Sequence, residues 1–195
     1  ESQALEMDRQ DPLAAFRERF LIPQTESGEE AIYLCGNSLG LQPRSSRAAL
    51  DQELEDWARL AVGGHFEAKH PWYSYHEDLC EPLGRLVGAQ AHEVVSMGAL
   101  TNNLHLAMVS FYRPTQERFQ ILIEAGAFPS DRYAVESQAL FHGLDPSEAV
   151  VYLGVDGDLL DEADIEAYLE TEGPRVALVM VGGVHYYTGQ LFDME

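Results

Sequence analysis

Phe119-Gln120-Ile121-Leu122-Ile123-Glu124, followed at once by Ala125-Gly126-Ala127-Phe128-Pro129-Ser130-Asp131, is the stretch on which the fold turns. The first six residues are mostly apolar and rich in isoleucine, which suits a strand. The next seven hold small residues, a proline and short polar side chains of the kind that open a helix. That helix is expected over Asp131 to Phe141. The same unit repeats outward in both directions. Toward the C-terminus come a strand at Ala149 to Leu153, a helix at Glu162 to Glu170, and Val176 to Val181. This last run has six uncharged apolar residues, the mark of a strand covered on both faces. Toward the N-terminus lie a helix at Thr101 to Tyr112 and a strand-like Val94-Val95-Ser96-Met97. Alternating elements with short connections predict an α/β fold, a three-layer α/β/α arrangement around a mostly parallel sheet. So few strands leave an apolar edge, the pattern of the first half of a larger domain.

Before residue 88 the pattern is helical. Leu13, Phe16 and Phe20 suggest a short helix over Asp11 to Phe20, and residues 23–30 read as a loop. Ala31 to Cys35 is a short strand or extended segment ending in a turn at Gly36-Asn37. Ser45 or Ser46 can cap a helix whose one face carries Leu50, Leu54, Trp57 and Leu60 or Ala61, with Gly63-Gly64 as its stop. After a loop from His65 to Trp72, Tyr73 to Val87 suggests another helix, which Pro82 kinks or splits. There is no internal repeat and no low-complexity segment.

Acidic residues outnumber basic ones 33 to 12 in the 195 residues, for a formal net charge of -21. Such a surface repels nucleic acid and anionic lipid, so neither is an expected partner. No apolar run reaches the roughly 18 residues that cross a bilayer, and the acidic start lacks the features of a signal peptide. The cytoplasm is the expected location. Cys35 and Cys80 are expected to be reduced. The spacing of His65, His70 and His76 fits no zinc signature, so no metal is expected.

Parallel sheets bind ligands beyond the carboxyl ends of their strands, and two segments have that address. Gly98-Ala99-Leu100-Thr101-Asn102-Asn103 joins a strand to a helix. Thr101 there either serves as an ordinary cap or helps present backbone amides to a phosphate. In the second segment Phe128 can stack on a flat ligand, Pro129 stiffens the turn, and Ser130 or Asp131 can cap the helix that follows. Asp131 could also meet a positively polarised ligand edge. The alternative is a capped helix with a core phenylalanine.

Several blocks of the chain resemble kynureninases, in family order. They are Tyr33-Leu34-Cys35-Gly36-Asn37-Ser38-Leu39-Gly40-Leu41-Gln42-Pro43, Gly64-His65 with Pro71-Trp72, and Ala99-Leu100-Thr101 with Asn103-Leu104-His105-Leu106. Phe128-Pro129-Ser130-Asp131 with Tyr133-Ala134 and Glu136-Ser137-Gln138, and Gly183-Val184-His185-Tyr186-Tyr187-Thr188-Gly189-Gln190, complete the series. The resemblance implies a fold-type-I architecture like that of aspartate aminotransferase, with pyridoxal 5'-phosphate as cofactor. Residues 1–62 would contribute to the small domain and 63–195 would form the first half of the cofactor-binding large domain. Carried over by position, Leu100 and Thr101 would hold the cofactor phosphate and Phe128 would stack on its ring. Pro129, Ser130 and Asp131 would complete that pocket, while Ser38 and His65 would contact L-kynurenine. The implied reaction is hydrolysis of L-kynurenine, or of 3-hydroxykynurenine, to L-alanine and the corresponding anthranilate. A homodimer of the complete enzyme is also implied.

The family's Schiff-base lysine has no counterpart here. Lys69 is the chain's single lysine, and it matches a basic position beside the Pro-Trp pair. The cofactor lysine is therefore expected beyond Glu195, and no catalytic residue is assigned within the chain. A C-terminal part of the same enzyme is an expected partner. The competing reading is a truncated, non-catalytic paralogue that binds a partner protein. Another is a desulfurase or aminotransferase of the same fold, which the Phe128 to Asp131 block disfavours. Gly182 departs from the family pattern, since many relatives carry serine there.

Overall fold

The computed structural model describes residues 2–193. They form two compact units that meet in sequence between Ser96 and Met97. The outermost positions of the two expected domains, residues 1, 194 and 195, lie outside the described residues.

The first unit is helical. Its helices are α1 (Ser2–Gln10), α2 (Ser46–Leu60), a single turn α3 (Gly64–Glu67) and α4 (Cys80–Val87). The expected helix over 11–20 is a 3-10 segment, Ala14–Arg19. Ala31 to Cys35 forms no strand, and 3-10 turns separate the longer helices. α2 stops at Leu60, before the glycines, because Ala61 at its end takes a left-handed φ of 47°. Gly64 has a different task. The Trp72 indole lies where its Cβ would be, so only glycine fits. The expected helix from Tyr73 splits, and α4 begins only at Cys80. Pro82 therefore falls in the first turn, where its missing N–H breaks no intrahelical bond.

A polar knot holds this unit together. Asp56 on α2 is 2% exposed. Its carboxylate accepts from the Lys69 backbone N–H (3.0 Å), the Arg59 guanidinium (2.6 Å) and the Gln52 amide (3.1 Å). The Lys69 N–H and the Arg59 bond hold its pKa below the ordinary carboxylate value. The Trp72 indole N–H donates to Glu53 at 2.8 Å, fastening the segment after α3 to α2; the expected loop from His65 to Trp72 thus begins as a helical turn.

The second unit runs α5 (Leu100–Phe111), β1 (Gln120–Glu124), α6 (Pro129–Phe141), α7 (Pro146–Ala149), β2 (Val150–Leu153), α8 (Glu162–Glu172) and β3 (Val176–Met180). The strands make a parallel sheet in the order β2-β1-β3. Each expected element after residue 98 is present, its ends shifted by one or two residues. The expected strand just before them, Val94 to Met97, is absent, since it pairs with no strand among the described residues. Ile121 and Ile123 are fully buried and pack with Met108, Tyr112, Ala134, Val135 and Ala139, so α5 and α6 cover one face of the sheet. Side chains alternate along β1, and Gln120 on the other face accepts a hydrogen bond from the Tyr168 hydroxyl of α8 (3.1 Å). This is the three-layer α/β/α order. β1 is buried along its whole length, whereas β3, at the edge, is buried only at Val176. The prediction that β3 is covered on both faces is thus met only in part. No described helix is long and apolar enough to cross a membrane.

Candidate functional site

The carboxyl ends of β1 and β3 and the first turns of α5 and α6 border one cleft of about 220 Å³. This address follows from the topology. Parallel strands end on the same side, and each loop departs there to begin a helix. Leu100 and Leu104 of α5, Phe128 and Asp131 of α6, and Glu124 of β1 all line it.

The α5 turn is built by Asn103. Its side-chain oxygen accepts from the Gly98 N–H and its amide donates to the Gly98 carbonyl, both at 3.0 Å. α5 opens at Leu100 with Ala99 at the N-cap, and no side chain caps it. Thr101 therefore sits inside the first turn, and the reading of it as an ordinary cap is corrected. An uncapped helix start carries partly positive N–H groups suited to an anion.

α6 opens in the same manner. Phe128 occupies the N-cap, Pro129 the first helical position, and no side-chain cap is made. Ser130 and Asp131 lie within the first turn, so neither is the expected cap. The Ser130 hydroxyl instead donates to Asp131 at 3.2 Å. Gly126 allows the tight connection from β1, with φ at 71° and the Asp156 carboxyl where a Cβ would stand. Phe128 is 49% exposed, so it is not a core residue. Its ring meets Tyr186 edge-on, with centroids 5.0 Å apart and planes at 81°.

The residues that follow β3 close the remaining side. His185 is buried, and its Nδ1 accepts from the backbone N–H groups of Tyr187 (3.3 Å) and Thr188 (3.2 Å). That pattern leaves the ring hydrogen on Nε2. Tyr186 stacks on the imidazole at 5.5 Å. The Gln190 side chain clamps Leu160 by two bonds, donating to its carbonyl at 2.6 Å and accepting from its N–H at 2.9 Å. Together these fix the wall against which Phe128 stands.

Of the six positions expected to hold a cofactor, Leu100, Phe128 and Asp131 line the cleft directly. Thr101, Pro129 and Ser130 belong to the same two helix starts. Ser38 and His65 lie in the first unit, and both are exposed. Ser38 sits in a turn where its N–H donates to the Cys35 carbonyl at 3.0 Å. His65 packs edge-on to Trp72, with centroids 5.6 Å apart. Lys69, also in the first unit, directs its ammonium group to Gln52 at 3.4 Å. Sequence reasoning missed Glu124 and Tyr186. An acidic residue closing a strand with three consecutive aliphatic residues was the visible signal for the first. Nothing in the spacing marked the second.

The donor set suits a flat, phosphate-bearing ring. An exposed phenylalanine offers a face, an uncapped helix start offers amides, and two carboxyl groups sit near the apolar floor.

No protein-family model matches the chain. Curated relatives do. The kynureninase of Koribacter versatilis is 55% identical over 196 residues, covering all of this chain and 46% of that protein. The kynureninase of Myxococcus xanthus is 54% identical with the same coverage. That of Christiangramia forsetii is 48% identical over 98% of this chain and 45% of its own length. The chain spans somewhat under half the length of the curated relatives it matches. Along its whole sequence, then, the chain is similar to a little under half of these kynureninases.

Proposed function

We propose that the chain is the N-terminal portion of a hydrolase that converts L-kynurenine to anthranilate and L-alanine with pyridoxal 5'-phosphate. 3-Hydroxykynurenine would be an alternative substrate. The observation that carries the reading is the meeting of Leu100, Phe128 and Asp131 in one cleft at the carboxyl ends of parallel strands.

In this reading the backbone amides at Leu100 and Thr101 hold the phosphate, with the positive end of α5 behind them. Phe128 lies against the ring face, and Tyr186 keeps the phenylalanine in place from its edge. Pro129 stiffens the turn, and Ser130 orients the Asp131 carboxyl through their shared hydrogen bond. When bound, the cofactor supplies an electron sink for charge at the substrate's α-carbon, and the protein supplies binding and orientation. Ser38 and His65 are assigned to the substrate on the resemblance, and their exposure leaves them available to it. Residues 1–62 would belong to the small domain and 63–195 to the first half of the large one. The Schiff-base lysine would come from a C-terminal part of the enzyme, and the complete assembly would be a homodimer.

The test is complementation. The chain is produced with and without the remaining half of a kynureninase, and anthranilate fluorescence is followed after L-kynurenine is added. Turnover is expected only from the pair, with Phe128→Ala in the chain lowering it at least about tenfold. A pair that co-purifies with pyridoxal phosphate yet releases no anthranilate would overturn the assignment of substrate. Release of anthranilate by the chain alone would overturn the placement of the lysine.

A further inference from the structure

The Pro71-Trp72 pair stands out in the sequence, yet neither the cleft nor the proposed reaction gives Trp72 a task. Its place in the first unit supplies one, because the indole is held from several directions. Its Nε1–H donates to the Glu53 carboxylate on α2 at 2.8 Å. Its six-membered ring fills the space where a side chain on residue 64 would begin, so glycine stands there. The Trp72 backbone N–H donates to the Gly64 carbonyl at 3.3 Å, and the Tyr73 N–H donates to the His65 carbonyl at 3.1 Å. Residues 64–65 are thus closed against 72–73. Between them the Lys69 N–H is tied to Asp56 at 3.0 Å. Glu53 and Asp56 are three residues apart and share one face of α2.

His65 stands on this frame. Its carbonyl is fixed by Tyr73, and its imidazole meets the Trp72 indole near edge-on, with centroids 5.6 Å apart and planes at 66°. That geometry is favourable for a pair of rings. The Phe66 ring is farther away, at 6.4 Å, and is itself exposed. No hydrogen bond from a described residue reaches either imidazole nitrogen, so both are left for a ligand. An exposed side chain without hydrogen bonds samples several rotamers, and binding through it costs that freedom. A ring packed against the imidazole beforehand removes part of that cost.

We infer that Trp72 is a positioning residue, which holds the His65 imidazole in the orientation that meets the substrate, while Glu53 holds Trp72. This role rests on the reading of His65 as a contact of L-kynurenine. Neither Trp72 nor Glu53 touches the substrate. A tryptophan that only anchored the segment would act on stability, and its effect on binding would not run through His65.

The test measures kcat and KM for L-kynurenine in the complementing pair, with the substitutions made in this chain. Trp72→Leu is expected to raise KM about threefold to tenfold, the scale of ordering one side chain, with kcat held within about twofold. In a His65→Ala background the same substitution should raise KM no further, because the group it positions is gone. Glu53→Leu should reproduce the rise. Glu53→Gln, whose amide oxygen still accepts from the indole, should recover most of what Glu53→Leu loses. The Glu53 variants serve if Trp72→Leu does not fold. A second readout needs no turnover. In proton NMR of the chain alone, the His65 imidazole signals are identified by their absence from His65→Ala. They should move in Glu53→Leu, as the indole beside them shifts.

An equal rise in KM from Trp72→Leu with and without His65 would overturn the positioning role and leave an anchor of the segment. Imidazole signals that stay in place in Glu53→Leu would overturn it as well. A KM unchanged by His65→Ala alone would remove the substrate contact and the role of Trp72 with it, while turnover by the pair kept the proposed function. A wild-type pair without turnover would remove both.

Discussion

In the second unit Ile121, Ile123, Val135 and Ala139 are buried to 1% or less and belong to one core between the sheet and α6. In the first, Ala68 is the sole buried hydrophobic residue among those described, and the most deeply buried side chain is a carboxylate, Asp56. α2 carries the expected stripe of Leu50, Leu54 and Trp57, yet these remain 65, 58 and 64% exposed. The difference lies in where each element finds its cover. A parallel strand brings its neighbours and crossover helices from nearby sequence, so a core can close within about a hundred residues. An amphipathic helix specifies only a face, not what will cover it. Burial of each large apolar side chain contributes about 1.5–3 kcal/mol to the second unit. The first unit must rely on hydrogen bonds, which contribute about 0.5–1.5 kcal/mol each on balance.

The sharpest way to break this contrast is to empty the second core. Ile121→Ala removes a fully buried side chain from the central strand and should cost about 2–5 kcal/mol. Amide hydrogen exchange should show β1, β2 and α6 losing protection. A loss below about 1 kcal/mol would mean that the second unit, too, lacks a packed core.

Gly64→Ala probes the first unit at its tightest contact. A methyl group there collides with the Trp72 indole, and the displacement should cost about 1–3 kcal/mol. Trp57 and Trp72 are the chain's only tryptophans, so indole fluorescence reports on this unit by itself. The emission should shift to longer wavelength in the variant while exchange in β1 stays unchanged. A variant with wild-type emission would show that the loop is not held against α2.

The polar knot makes the first unit sensitive to acid. The native pKa of Asp56 is lowered, by the Lys69 N–H first and the Arg59 bond second. A lowered native value means that the folded state binds its proton less readily than the unfolded chain. The contribution is therefore complete above the unfolded value, about pH 4, and is lost as pH falls through the lower native one. Urea unfolding followed by tryptophan emission should show stability falling as the pH drops below about 4. Asp56→Asn should be less stable near neutrality and should lack that part of the acid dependence. An unaltered acid slope in the variant would assign the effect to other carboxylates.

How much of this was legible in the sequence follows the same division. The strands at 120–124, 150–153 and 176–180 and the helices between them announced themselves, because period, length and turn residues all agree there. The two helix starts at the cleft were legible for the same reason. The caps lie two or three residues earlier than expected, since Thr101, Ser130 and Asp131 have capping chemistry but sit inside helices opened by Ala99 and Phe128. Glu124 was overlooked because strand patterning gives no hint that a terminal acid turns into a cleft. Val94 to Met97 has strand composition, but a strand exists only when a neighbour supplies its hydrogen bonds. Asp56 was the least legible of all. Its partners Gln52, Arg59 and Lys69 span 17 positions, and no local rule joins them.

The smallest expected effect tests what the exposed stripe on α2 is for. Leu54→Ala should change the stability of the chain by no more than about 0.5 kcal/mol, as for other exposed side chains away from special contacts. Leu54→Asp should be as mild in the chain alone, because no described neighbour excludes water from that position. The same substitution in the pair used for complementation should separate two explanations. If the proposed C-terminal part covers α2, a buried unpaired carboxylate will weaken co-purification sharply, although the chain alone tolerated it. Unchanged pairing would mean that the stripe stays in water in the assembly as well. The contrast between the two units would then persist in the pair, and would not come from studying the chain alone.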